Sequence, residues 1–333
     1  FEYNLDWDNT RPKMSRLDVE TKFLRKLCEY FAYTGQNYFS LPLLRYDFTA
    51  YERTTVPGFR GNIPFMPGSI PFWMKSLHEN GIEFTAIINL RAPPEMTLPD
   101  QKSRFILENY YSRDKDGAVL EKSCNPLHPE VRKLLERNIE DFASRFAARK
   151  GLTGIDLWLE WDSFGFRSLD NGYDDESVGR FSRETGLKIP AFAEQKYQRR
   201  HQFLTTSENR KRWVAWRAEQ TTQQIRRVRE IINRYNPALP LYVTVSGFPM
   251  RGDQAARTPD TVDFRKNILE EQCLDIDAVN AIPNVYVTPM RFCTDQYWIE
   301  HWSGGYASTE ELLLNPAVSA IFRNPRGNYV SSY

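Results

Sequence analysis

An excess of charge of either sign is missing from this chain. Lys plus Arg total 44 against 43 Asp plus Glu, a net charge of +1. Nucleic-acid binding rests on a basic surplus that neutralises phosphate, so no nucleic-acid partner is expected. Histidine and cysteine are scarce, with four of each in 333 residues. His78, His128, His201 and His301 include no His-Glu-x-x-His and no close pair, and Cys28, Cys124, Cys273 and Cys293 include no Cys-x-x-Cys. A metal centre or a thioredoxin-type redox site therefore has no motif behind it. One or two disulfides can form, but the spacing does not pair them. There is no Gly-x-Gly-x-x-Gly and no Walker loop, so no nucleotide is implied and no cofactor is expected. No apolar run reaches about 18 residues, which excludes a helical membrane span and leaves no membrane partner to expect. Repeats, low-complexity stretches and internal domain boundaries are absent too, so residues 1–333 are read as one domain. The chain opens at Phe1 without a visible leader and stops inside the strand-like Asn328–Tyr333, and the expectation is a piece of a longer protein.

Aromatics are plentiful, at 14% with 8 Trp and 17 Tyr. A large core absorbs most of them, and a minority is left for an aromatic-lined cleft. The segment Gly154-Ile-Asp-Leu-Trp-Leu-Glu-Trp-Asp-Ser-Phe-Gly-Phe166 is the most informative stretch. Period-2 alternation puts Ile155, Leu157 and Leu159 on one face of a strand, and Asp156, Trp158, Glu160 and Asp162 on the other. A strand this apolar is buried, so its acidic face points into something. Carboxylates beside indole rings suit sugar cleavage: acids move protons and stabilise an oxocarbenium ion, while flat rings stack on pyranose faces.

Around this strand, helix and strand signals alternate. Ser15 with Asp18 opens a helix whose stripe is Val19, Phe23, Leu27 and Phe31. Tyr38–Leu44 reads as a strand ending at Asp47, and Ser69 as the cap of a helix stopping at Gly81. Ile82–Leu90 is a buried strand with Arg91 just past its end. His128–Lys150 is a helix with Val131, Leu135, Ile139, Phe142 and Phe146 inward. Further helices are expected over Asp174–Glu184, Glu208–Tyr235 and Thr261–Glu271, and further strands over Pro240–Ser246, Asn284–Thr288 and Asn328–Tyr333. With no hairpin signal between them, these are parallel β-α units. A doubly wound sheet fits the alternation, but polar residues at several strand C-termini (Asp47, Arg91, Glu160 with Asp162, Ser246) favour a (β/α)8 TIM barrel. Residues 163–209 are a long insertion, a lid or subdomain, after the key strand.

Three segments resemble the bacterial glycoside-hydrolase-like barrels grouped as family-10-like glycosyl hydrolases, relatives of the family 42 β-galactosidase type. They are Asn125-Pro-Leu-His-Pro-Glu-Val-Arg132, the acidic strand with Gly172-Tyr-Asp-Asp-Glu-Ser-Val-Gly-Arg-Phe-Ser-Arg-Glu-Thr-Gly186, and Trp213-Val-Ala-Trp-Arg-Ala-Glu-Gln220. The resemblance implies a (β/α)8 barrel that acts on carbohydrate, with the general acid/base at the end of the fourth strand, where Glu160 falls. It implies a nucleophile at the end of the seventh strand, which would start at Asn328, so the barrel is expected to be incomplete at its C-terminus. The strand also resembles the chitinase motif, with Asp156 and Glu160 matching two of its three acids. Trp158 replaces the middle aspartate that orients an acetamido group, which argues against a chitinase.

The expected function is glycoside hydrolysis in an oligo- or polysaccharide. Glu160 and Asp162 are the candidate catalytic carboxylates, and Asp47, Arg91, Trp158 and Trp161 the candidate sugar contacts. Each has a plainer alternative: Glu160 paired with an arginine such as Arg91, Asp162 capping a loop, Asp47 and Arg91 ion-paired across the barrel mouth. Asp156, deeper in the strand, reads as a core hydrogen-bonding residue, Trp213 and Trp216 as core, and Arg226-Arg227-Val-Arg229 as a solvated helix face. The second functional reading is a non-catalytic carbohydrate-binding or structural barrel. The substrate class favours a secreted or periplasmic setting.

Overall fold

A computed structural model describes residues 16–46, 48–49, 51, 60–61, 68–90, 110–159, 168–245 and 264–289. Apolar periodicity makes its helices. In α1 (Arg16–Thr34), Leu24 and Phe31 are buried together with Glu20. Glu20 is tolerated there because Ser69 donates its hydroxyl to the carboxylate, at 2.7 and 2.9 Å from its two oxygens. Ser69 is therefore not the cap expected of it. Gly68 holds the N-cap position of α2 (Ser69–Glu79), and Ser69 is the first helical residue. In α3 (Pro129–Phe146), His128 caps by accepting from the Glu130 N–H, and Pro129 occupies the first turn, where its missing N–H costs nothing. The predicted stripe Val131, Leu135, Ile139, Phe142 and Phe146 is buried throughout, each side chain contributing about 1.5–3 kcal/mol of burial. Gly151 then turns the chain at φ 97°, with the Met74 carbonyl where a β-carbon would sit, so only glycine fits.

Among the described residues nine strands follow in chain order: β1 (Tyr38–Tyr46), β2 (Phe48–Thr49), β3 (Arg60–Gly61), β4 (Glu83–Leu90), β5 (Tyr111–Arg113), β6 (Val119–Cys124), β7 (Leu152–Leu159), β8 (Leu241–Val245) and β9 (Val285–Pro289). The main sheet runs β3-β2-β1-β4-β7-β8-β9. From β1 to β9 every pairing is parallel, and the strands succeed one another in chain order without reversal. A doubly wound sheet reverses at a switch point and carries helices on both faces. Here the helices of the described residues that reach the sheet pack on one face. Ile70 and Leu77 of α2, Leu135 and Phe142 of α3, and Ile225 and Ile232 of α6 (Ser207–Tyr235) share a core with Phe84, Ala86, Ile88, Ile155, Leu157, Leu241, Val243, Val285 and Val287. The chain is α/β with a singly wound parallel sheet, the arrangement from which (β/α)8 barrels are built.

Between β7 and α6 lie α4 (Asp175–Thr185) and α5 (Lys196–Leu204). They build a second core, with Leu169, Tyr173, Val178, Phe181 and Leu204 against Trp213, Val214 and Trp216 at the start of α6. The β5–β6 pair is an antiparallel hairpin where none was expected. Its signal was Asp-Lys-Asp-Gly117: the Asp114 carboxylate accepts the Asp116 and Ala118 N–H groups at 2.9 and 2.8 Å, and Gly117 takes φ 84°. The hairpin joins the segment after β7 through Lys115 N–H to Asp170 O and Gly172 N–H to Arg113 O, at 2.8 and 2.9 Å. Two short helices, α7 (Phe264–Glu271) and α8 (Ile276–Asn280), precede β9. The basic run on α6 is not uniformly solvated. Arg226 and Arg227 are exposed, whereas Arg229 is 2% exposed and holds the following turn through the carbonyls of Asn236, Pro237 and Leu239.

Candidate active site

The sheet face turned away from the helices is polar and aromatic. Alternation from the core-facing residues leaves Thr85, Ile87 and Asn89 on β4, Gly154, Asp156 and Trp158 on β7, Tyr242 and Thr244 on β8, and Tyr286 and Thr288 on β9. The register sets them in layers. Ile87, Asp156, Tyr242 and Tyr286 lie level, and Trp158, Thr244 and Thr288 form the next level toward the strand C-termini. Gly154 is glycine because the Tyr242 ring lies 2.6 Å from where its β-carbon would be. Tyr242 in turn packs against Tyr286, with ring centroids 6.0 Å apart.

Asp156 is fully buried at the centre of this face. The Trp158 indole N–H donates to one carboxylate oxygen at 2.8 Å, and the Thr244 hydroxyl donates to the other at 2.7 Å. Thr244 and Thr288 hydroxyls lie 2.9 Å apart, so a hydrogen-bonded chain crosses three strands. Burial pushes the Asp156 carboxyl up to about 6, and the bonds from Thr244 and Trp158 pull the other way. With Asp156 ionised, Thr244 spends its proton on the carboxylate and Thr288 must donate to Thr244. Both oxygens of Asp156 are thus engaged within the sheet, and its bond to the indole fixes the Trp158 ring. Trp158 is 2% exposed and packs on Ile87.

Asn89 differs. It is 1% exposed, and neither its amide nitrogen nor its amide oxygen has a hydrogen-bond partner. Thr85, two pleats below on the same face, also has an unpartnered hydroxyl. An unpaired buried polar group costs about 1–3 kcal/mol. Sequence reading missed Asn89, though Thr85 and Asn89 recur at strand spacing in Ile82–Leu90. It also missed that Tyr-Val-Thr occurs twice, at 242–244 and 286–288, and that the two copies pair in register.

Of the sequence-predicted site residues, Trp158 is described. Glu160, Asp162, Trp161, Asp47 and Arg91 lie outside the described residues. Cys28 and Cys273 are free thiols. No cluster of three or more His, Cys, Asp or Glu side chains suited to a metal occurs among the described residues, and no helix there is long and apolar enough to cross a membrane. A surface groove of 590 Å³ is lined by Phe192, Gln195, Arg199, Gln202, Phe203 and Thr206, none of them on the sheet.

The three motif segments meet elsewhere, at the junction of α3, α4 and α6. Asn125 donates to Asp174 at 2.9 Å and accepts from the Leu127 N–H at 3.0 Å and the Ser177 hydroxyl at 3.4 Å. Asp174 caps α4 through the Ser177 N–H at 2.8 Å. Arg132 donates to Pro126 O at 2.9 Å and to Gln220 O at 3.3 Å. Glu184 accepts from the Trp216 indole at 2.7 Å and the Gln220 amide at 3.2 Å. Trp213 and Trp216 stack at 5.4 Å with Phe181 edge-on to both. The described parts of these segments pack the helices around the sheet.

The model of the glycosyl hydrolase-like 10 family matches residues 88–306, more than half of the chain. No curated protein matches the chain. Among solved structures, the catalytic domain of β-amylase from Paenibacillus polymyxa is similar over 84% of this chain and 74% of its own, with a TM-score of 0.52 and 12% identity. That likeness is one of fold. A GH42 β-galactosidase from G. stearothermophilus aligns over 81% of this chain and 38% of its own, at TM-score 0.46 and 12% identity. A β-galactosidase from the psychrophilic Marinomonas ef1 aligns over 82% and 39%, at TM-score 0.48 and 10% identity. The chain thus spans about two-fifths of the length of these galactosidases. The order of the parallel strands, the one-sided helices and the extent of the family match lead to one conclusion: this chain belongs to the glycosyl hydrolase-like 10 family.

Proposed function

We propose that this chain hydrolyses O-glycosidic bonds in an oligo- or polysaccharide, on a closed (β/α)8 barrel with residues 163–209 as an insertion beside its mouth. One observation carries the reading. The strand with Asp156 and Trp158 on the polar face of a singly wound sheet leads directly into Glu160-Trp-Asp162. Barrel enzymes assemble their sites at such strand C-termini, and family membership supports carbohydrate chemistry.

In this reading Glu160 is the general acid that protonates the leaving oxygen, and the base that later activates water or completes the second displacement. Asp162, Asp47 and Arg91 contact the sugar or its developing charge. Trp158, locked by Asp156, forms the floor of the site, and Trp161 offers the second aromatic surface.

A glycan-hydrolysis screen of the wild type against Glu160→Gln tests the assignment. Glutamine keeps the shape and removes the proton, so the expected loss is about 10²–10⁴-fold in kcat. Hydrolysis that survives the change undiminished removes Glu160 from the role. Glycan binding by a wild type that hydrolyses nothing would instead make this a non-catalytic carbohydrate-binding barrel.

A further inference from the structure

We infer that Asn89 is a substrate-reading residue, one whose amide recognises a pair of adjacent hydroxyls on a sugar. The inference rests on the glycosidase reading above and names the side of the sheet on which the sugar docks. Its starting point is an asymmetry across the polar face. On the β8–β9 flank the polar side chains are engaged with one another: Thr244 bonds Asp156 and Thr288. On the β4 flank, Thr85 and Asn89 are buried and unpartnered.

Asn89 is the second-last residue of β4, and one register step beyond the Ile88–Leu157 pair sets it beside Trp158. It is thus at the C-terminal end of its strand, where parallel α/β sheets bind ligands, with an indole alongside. A side-chain amide offers two N–H donors and one carbonyl acceptor. The complement of that set is a vicinal diol, which accepts at one hydroxyl and donates from the other. The indole supplies the apolar wall that a pyranose C–H face requires. Arg45 of β1 lies level with Asn89 in the β1–β4 register, while the carboxylate of Asp156 is spent on Trp158 and Thr244. Asn125, equally buried, engages both ends of its amide. Gln224 on α6 is also buried with both ends open, so the open amide alone does not mark a site; what points to a ligand is an open amide at a strand C-terminus beside an indole.

The test compares the wild type with Asn89→Ala and Asn89→Leu. The probes are 4-nitrophenyl glycosides of galactose, glucose, xylose and fucose and the matching 1,4-linked oligosaccharides. On whichever probe the wild type turns over, Asn89→Ala should lower kcat/KM by about 10²-fold or more, because a site built to bond a hydroxyl discriminates strongly when the pair is broken. Among monodeoxy versions of that probe, one should lose a similar factor on the wild type and almost nothing further on Asn89→Ala. A structural role would not produce this non-additivity. Asn89→Leu should melt at or above the wild-type temperature, since it removes an unpaired polar group and breaks no bond. Full kcat/KM in Asn89→Ala on a probe the wild type cleaves would overturn the inference and leave the glycosidase reading standing. Melting lowered by more than about 5 °C in both variants would show a paired structural amide, and would overturn it too. A wild type that neither binds nor cleaves any probe would overturn both.

Discussion

Two buried asparagines, Asn125 and Asn89, divide this molecule. Asn125 sits at the helix junction with its donor on Asp174 and its acceptor on Leu127 and Ser177. Asn89 sits on the polar sheet face with neither end engaged. The same pairing of indole with carboxylate occurs in both places, as Trp216 on Glu184 and Trp158 on Asp156. Residue type therefore does not separate scaffold from site, and these two amides differ in whether their hydrogen bonds are made. At the junction the bonds of Asn125, Asp174 and Glu184 add specificity to the packing of α3, α4 and α6, although the Trp213 indole N–H and the Gln224 amide on α6 are left without a partner. The sheet face satisfies one flank and leaves the other open, at a cost to stability that a packed core would avoid.

The comparison breaks most easily at the junction. Asn125→Ala removes a donor from the buried Asp174 carboxylate and strands the Leu127 N–H. The expected loss is about 3 kcal/mol, the sum of two unsatisfied buried groups, read by urea or thermal unfolding. Turnover of any cleaved glycoside at 25 °C should be unchanged while the protein is folded. A loss of turnover without a loss of stability would place this motif in the site after all.

The next effect is a pH dependence that belongs to the sheet face. The Asp156 carboxyl is held at about 6 in the fold against 3.8 for a free side chain. A group whose folded value is raised binds more protons folded than unfolded between these limits. Stability from Asp156 is therefore full below about pH 4 and falls as pH rises to about 6, by roughly 2–3 kcal/mol. Asp156→Asn should flatten that segment of the stability–pH curve. An unchanged slope would mean that the carboxyl titrates normally and that burial does not govern it.

How much of this was legible follows from the range of the interactions. The α3 stripe and the burial of β7 were readable because both are local periods, of 3.6 and 2 residues. The parallel β-α units were readable from the alternation of helix and strand signals without hairpin signals between the main strands. The Asp-Lys-Asp-Gly turn and the doubled Tyr-Val-Thr were present in the sequence and passed over. What could not be read was partnership. Nothing near Asn125 in sequence announces Asp174, 49 residues away, and nothing near Asn89 announces that it has no such partner. Arg229 likewise looks like its neighbours Arg226 and Arg227 until the turn at 236–239 folds back on it. The motifs of the family resemblance pointed to the family that the chain belongs to, and their described parts pack together at the junction of α3, α4 and α6. Trp158 is described and buried, whereas Glu160, Asp162, Trp161, Asp47 and Arg91 lie outside the described residues.

The smallest expected effect sharpens the saturated flank. Thr244→Val keeps the shape and β-propensity of the strand and deletes the hydroxyl that links Asp156 to Thr288. Ionised Asp156 then keeps the Trp158 indole and loses one donor, while Thr288 loses its neighbour. At neutral pH this should cost about 1 kcal/mol. Because the Thr244 bond pulls the Asp156 carboxyl down, its loss should also move the stability change to higher pH. Near pH 4 the carboxyl is protonated and needs the donor less, so the cost should shrink there. In an Asp156→Asn background the two pH values should give the same cost. Equal destabilisation at pH 4 and pH 7 in the wild-type background would show that Thr244 serves packing alone. The contrast between a closed flank at β8–β9 and an open one at β4 would then lose its electrostatic basis.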